Sequence, residues 1–353
     1  KHAQERKNMP RVIDSSDQFT VIGENIHATR VVKRGGVRGH VFDDGTEAVK
    51  YKVEGERHYV HVPEHFTSTQ PYEQGNLKHF MIAMWKGLNG DADESSEGKA
   101  YIQYEVNRQI NKGANYLDLN VDESSYRLPE QKESMEWLVK YVESVSSVPP
   151  SVDSSNLEII EVGLAAYGGT QGRPMLNSIA LERTEAIDMA LKYNAKAIVM
   201  ASNEVGMPDG TEERVENVGR ILEMAFSKGM AKEDIFVDPL YFPIAVDSNY
   251  GKHAFDAIAQ IRAEFGDEIH IAGGMSNVSF GIPKRRLIND VFLFFAIEAG
   301  CDAGIIDPMT TSAERSLKID LEAGSVKLAI DLLHGNDDFA MDYITAFRAG
   351  ELD

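Results

Sequence analysis

Short apolar runs alternate with longer helical stretches at a steady spacing, and this rhythm limits the fold more than any other feature of the chain. The strand candidates are FTVIGENI (19–26), NYLDLNV (115–121), PPSVDSS (149–155), MLNSIA (175–180), AKAIVMAS (195–202), IFVDPLYF (235–242), HIAGGMSN (270–277) and AGIIDPM (303–309). Helical patterns such as KAYIQYEVNRQINKG, KESMEWLVKYVESV and RVENVGRILEMAFSKGM lie between them. Several begin near Ser, Thr or Asn and end on Gly, as capped helices do. Strands alternating with helices predict a parallel sheet, and eight of them suit closure into a (β/α)8 TIM barrel. The rival is an open doubly wound sheet. It is disfavoured because no GxGxxG follows the first strand and no GxxxxGK[ST] occurs anywhere.

One connection breaks the rhythm. The chain of 353 residues reads as a single barrel domain with an insertion, 28–97, in the first βα loop. Such a loop is far longer than the usual few residues. EAVKYKV and RHYVHV alternate polar and apolar around Glu54-Gly55-Glu56 and predict a hairpin. Residues 73–89 read as helical, and GDADESSEGK reads as a polar linker.

Composition narrows the function classes. Net charge is −20, and the only short basic cluster is Lys284-Arg285-Arg286, so a nucleic-acid partner is not expected. No apolar run approaches the length of a membrane helix, and the charged start KHAQERKNMPRVIDSSDQF has no apolar core of a signal segment. A cytoplasmic protein with no membrane contact is the expectation. The single cysteine, Cys301, excludes a disulfide framework and a clustered-thiolate zinc site.

The chemistry concentrates where the strands end. Glu24 and Asn25, Asp118 and Asn120, Asp153, Asn177, Asn203, Asp238, Ser276 and Asn277, and Asp307 close successive strands on one side. Carboxylates and amides are poor strand formers, and in a barrel these ends converge on the catalytic mouth. Each of them singly could be a loop or capping residue. As a set they are less ordinary, because the strand starts are apolar or proline. His27 is the one histidine at such an end, and HxH, HExxH and GxSxG are all absent, so no metal site and no nucleophile elbow is expected. Carboxylates and amides together suit hydrogen bonding to a flat heterocycle with mixed donors and acceptors.

FTVIGENIH, GANYLDLNV, SVDSSNLEIIEVGL, PMLNSIALER, IFVDPLYFP and GGMSNVSFGIPKRRLIN, taken in order, resemble the pterin-binding methyltransferase family. Its members are methyltetrahydrofolate:corrinoid methyltransferases and the folate domain of cobalamin-dependent methionine synthase. The likeness covers 19–26 and about 98–335, and the insertion departs from the shorter members. The resemblance implies methyl transfer between tetrahydrofolate and the cobalt of a corrinoid. It implies that Asp153, Asn177 and Asp238 hold the pterin ring, with Asp118 and Asn120 completing the wall. Asn277, beside Ser276, would hydrogen-bond the methyl-bearing nitrogen, Arg285 would contact the folate side chain, and Glu24 would order the pocket. The folate is then substrate, and the relatives suggest a homodimer.

Glu268-x-His270-x-x-Gly273 is only a near miss to the DxHxxG of cobalamin-binding modules, and no further α/β module is left over. The corrinoid is therefore expected free or on a separate corrinoid protein. Dihydropteroate synthase, the nearest rival, is disfavoured by GENIHATR after the first strand, by SNVS in place of an SRK-like segment, and by a C-terminus without RxH. A non-catalytic folate-binding subunit would be expected to lack Asn277, which is present. The insertion emerges at the mouth and offers Tyr72, Phe80 and Trp85 as candidate contacts for the corrinoid protein.

Overall fold

The computed structural model describes residues 11–352, so most of the charged N-terminal segment lies outside the described residues. Eight strands form one sheet: β1 (Thr20–His27), β2 (Tyr116–Asn120), β3 (Pro150–Asp153), β4 (Met175–Ile179), β5 (Lys196–Met200), β6 (Ile235–Asp238), β7 (His270–Ile271) and β8 (Ala303–Ile306). Their order is 7-6-5-4-3-2-1-8, and a parallel bridge between Gly274 and Ile305 joins β7 to β8. Register pairs such as Leu117 with Pro150, and Ile198 with Phe236, are parallel. The fold is the (β/α)8 barrel that the alternating sequence predicts. Leu117, Leu119, Val152, Leu176, Ile198, Val199 and Val237 are wholly buried, as strands covered on both faces require.

The chain divides into two compact units, residues 23–175 and the described remainder. The first holds the insertion. Here Gly39–Val41, Glu47–Val53 and Glu56–His61 form an antiparallel sheet, and Val32–Lys33 pairs with Asn76–Leu77. The hairpin turns at Glu54-Gly55, where both residues have positive φ (50° and 88°). That is the backbone a two-residue hairpin loop demands.

Two expectations for this unit need correction. Residues 90–99 are no linker: Asp91 caps a helix, Ala92–Ile110, by accepting from Asp93 N and Glu94 N, and Glu94 reaches back to Asp91 N. This reciprocal capping box starts the helix despite its polar first turn. Gly98 lets it pack close against His79–Asn89, since a Cβ there would lie 2.4 Å from the Ala83 carbonyl oxygen. The helical reading of 73–89 holds at Glu73, which ends a short helix Gln70–Glu73, and again from His79; between them Asn76–Leu77 is extended.

In the second unit the expected strand 270–277 stops at Ile271, and Met275–Ser279 is a 3-10 turn. At its base His270 Nδ1 lies 2.8 Å from Asp302 Oδ2, and Arg262 donates to Asp302 and to the Gly300 carbonyl. His270 is thus fixed by a neighbouring carboxylate, and the near-miss corrinoid motif is a structural seam. Among the described residues no helix is long and apolar enough to cross a membrane.

Candidate active site

In the first unit the ends of β1, β2 and β3 carry a connected polar cluster. Asn120, 5% exposed, donates from Nδ2 to Asp153 Oδ2 at 2.9 Å, and its Oδ1 accepts from Asp122 N at 3.0 Å. His27 Nε2 stands 3.6 Å from the same Asp153 oxygen. Asp118 is buried and accepts from Ser151 Oγ at 2.6 Å. Asp122 accepts from Ser154 Oγ and from both N and Oγ of Ser155, so it binds the β2 and β3 loops together. Glu24 is paired with Arg30 at 3.1 Å. The structure thus brings Asn120 and Asp153 into direct contact, while Asp118 is held one layer deeper and Glu24 is tied to its own loop.

In the second unit the core of the site is Asp238, at the end of β6 and 8% exposed. Its Oδ1 accepts from Leu240 N at 2.8 Å, and Gly274 N also bonds the carboxylate. Burial pushes the Asp238 carboxyl up to about 6, only partly opposed by these backbone donors and by the Arg214 charge. Arg214, completely buried, donates to the carbonyls of Pro239, Leu240 and Gly210 and so fixes the loop in which Asp238 sits. Gly273 is required beside it: a Cβ would lie 2.5 Å from Asp238 Oδ1 and 2.5 Å from the Tyr241 ring, at a φ of +120° that side chains avoid.

Asn277 lies on the 3-10 turn after β7, exposed, and its carboxamide has no hydrogen-bond partner among the described residues. Arg285, also exposed, donates from Nη2 to the Ser276 carbonyl at 2.7 Å and from Nε to Ser279 Oγ at 3.0 Å. It clasps the turn that presents Asn277. Asn177 is half-buried within β4, and Ser276 is half-buried beside Asn277. Two further strand-end residues brace the following loops: Asn203 bonds Glu213, Val205 N and Gly206 N, and Asp307 accepts from Met309 N.

Sequence reasoning missed Asp122, Arg214 and Gly273. Asp122 carried a signal, as a further carboxylate two residues beyond Asn120; Arg214 carried none, because its partners lie on another loop. Among the described residues no group of three or more His, Cys, Asp or Glu side chains is placed to hold a metal ion. The arrangement offers carboxylates and amides for hydrogen bonding, and burial pushes one of the carboxyls, Asp238, up to about 6.

Over 285 residues the chain is 27% identical to a methylcorrinoid:tetrahydrofolate methyltransferase of Eubacterium limosum, covering 77% of this chain and 98% of that protein. Among solved structures, dihydropteroate synthase from Stenotrophomonas maltophilia is 15% identical with a TM-score of 0.49, over 71% of this chain and 89% of the other. The Xanthomonas albilineans dihydropteroate synthase is 16% identical with a TM-score of 0.49, over 73% and 88%. The pterin binding enzyme profile matches residues 95–307, a span running from the helix before β2 past the end of β8 and holding every strand-end residue described above except those of β1. The chain belongs to the pterin binding enzyme family.

Proposed function

We propose that residues 1–353 act as one pterin-binding barrel that moves a methyl group between 5-methyltetrahydrofolate and the cobalt of a corrinoid carried by a separate protein. The observation that carries the reading is the pairing of the buried Asn120 amide with the partly buried Asp153 carboxylate at the strand ends, in a chain aligned with nearly the whole length of a methylcorrinoid:tetrahydrofolate methyltransferase. Asp153, Asn177 and Asp238 hold the pterin ring, and Asp118 and Asn120 shape the wall behind it. A carboxylate accepts from adjacent N–H groups of the pterin edge, and Asn120 orients Asp153 for this. Arg285 meets the folate side chain while keeping its bonds to the turn, and Glu24 orders the first loop.

Asn277 acts at the reacting nitrogen. The N–CH3 bond breaks with its electron pair left on nitrogen, while the pair for the new bond comes from cobalt(I), the second substrate. A tertiary amine leaves poorly, so its nitrogen must gain a proton as the methyl departs. A carboxamide can accept from or donate to that nitrogen as its protonation changes, which favours the transition state over the ground state. The exposed position of Asn277 suits a group that meets a substrate.

The direct test mixes the protein with cob(I)alamin and 5-methyltetrahydrofolate and follows the visible spectrum. Methylcobalamin forms on the methyl-transfer reading; a spectrum that stays that of the starting corrinoid at high enzyme concentration refutes it. Asp153→Ala should weaken folate binding by about 1–2 kcal/mol, since Asp153 is only partly buried. Calorimetry reads this directly, and an unchanged affinity would remove Asp153 from the pocket.

A further inference from the structure

Phe80, expected at the surface of the insertion, is 1% exposed and belongs to the core. The side chain at the strand ends of the first unit whose part is still unassigned is His27, the last residue of β1. It is half-buried. Its backbone is fixed because Ala28 N donates to the Asn120 carbonyl at 3.0 Å, which carries the β1–β2 seam past the end of the strand.

Two side chains here reach for one oxygen. Asn120 Oδ1 accepts from the backbone N–H of Asp122, two residues on, so its Nδ2 is the end that meets Asp153 Oδ2 at 2.9 Å. His27 repeats the device on β1. Its Nδ1 lies 3.2 Å from Thr29 N, again two residues on, and 2.7 Å from Thr29 Oγ1. A backbone N–H only donates, so Nδ1 is the acceptor and the proton of the neutral imidazole sits on Nε2. Nε2 stands 3.6 Å from the same Asp153 Oδ2. That is just beyond hydrogen-bond range, and contacts of this kind tighten in the substrate complex. Asp153 Oδ1 has no hydrogen-bond partner among the described residues, and the side chain is 23% exposed, which leaves that oxygen open to a ligand.

We propose that His27 is a positioning residue for folate binding: with Asn120 it holds Asp153 by Oδ2 and turns Oδ1 to the pterin edge. One donor leaves a carboxylate free to swing about a single bond, whereas two donors from two strands fix it. An acceptor already aligned loses less of the binding free energy to ordering. The ring edge keeps this contact before and during departure of the methyl group, so the effect falls on affinity and not on the rate of transfer. The inference rests on the reading of Asp153 as a pterin-holding carboxylate. It does not need methyl transfer, because binding is measured without turnover.

The test is calorimetric titration of the full chain with 5-methyltetrahydrofolate, in His27→Phe, Asp153→Ala and the double variant. Phe keeps a flat ring and loses the donor. His27→Phe raises Kd about tenfold. In the Asp153→Ala background the same change shifts Kd less than about twofold, because the two residues act through one contact. His27→Gln, whose amide carries an N–H to about the place of Nε2, stays within about threefold of the unaltered chain, a rescue that a purely steric role would not show. With cob(I)alamin as acceptor, KM of His27→Phe for the folate rises with Kd while kcat stays within about twofold. Unchanged affinity in His27→Phe, an equal loss with and without Asp153, a Gln variant as weak as Phe, or a loss confined to kcat overturns the role of His27. A silent His27→Phe beside a weakened Asp153→Ala rejects this inference alone. Full affinity in Asp153→Ala removes the pocket reading and the inference with it.

Discussion

Replacing Asn277 with alanine lowers kcat by about a hundredfold while KM moves little, the pattern for an interaction made chiefly in the transition state. The fold should survive. The turn around Asn277 is held by backbone bonds, Asn277 N to Gly274 O and Phe280 N to Asn277 O, and by the Arg285 clasp, all of which alanine keeps. Single-turnover methyl transfer to cob(I)alamin, followed in the visible, separates the chemical step from folate binding. A loss confined to KM would make Asn277 a ground-state binder and leave the protonated nitrogen to another group.

Asp238→Asn should stabilise the protein at pH 8 and weaken folate binding at the same pH. The carboxyl of Asp238 is pushed up to about 6 by burial. Between its ordinary value of about 4 and 6 the folded chain therefore holds a proton that the unfolded chain has released. The contribution of Asp238 to stability is full below about 4 and is lost as pH rises through about 6. An amide cannot ionise, so the variant escapes that loss, gaining about 1–3 kcal/mol at pH 8 and almost nothing at pH 4. Its Oδ1 can still accept from Leu240 N. Against the pterin edge, however, the new NH2 meets N–H groups where a carboxylate would accept them, and affinity falls at least about tenfold. Urea unfolding at the two pH values and calorimetry at pH 8 read both effects. A gain equal at both pH values would mean that the buried charge is not its source.

The barrel was legible because periodicity is a local property: each strand announces itself in five to eight residues, and the helices between them are long enough to show their own period. Boundaries failed where a tertiary or capping detail decided them. Gly273 and Gly274 end β7 early, which puts Asn277 on a 3-10 turn and not on a strand. At Asp91 the signal was present, an acidic cap with Glu94 three residues on, but the polarity of the first turn masked it. Within the site, Asp118, Asn120, Asp153 and Asp238 could be named from their places at strand ends. Their supports could not: Asp122 meets Ser154 and Ser155, and Arg214 meets Leu240, across loops that no local pattern connects.

Sixty-four residues separate His27, at the end of β1, from Ala92, where the next barrel helix begins. The equilibrium penalty for that length is small, because closing a loop costs only about 0.6 kcal/mol for each doubling. A chain sixteen times longer than a four-residue connection thus loses roughly 2.4 kcal/mol, less than one well-packed aromatic core can restore. The burden falls on the folding clock instead. β1 and β2 are sheet neighbours across 88 intervening residues, and pairings so remote in sequence form late. Refolding should quicken when the insertion is shortened, even where the equilibrium stability hardly changes. For barrels of this kind, the first connection is accordingly a permissive place to acquire new surface over evolutionary time.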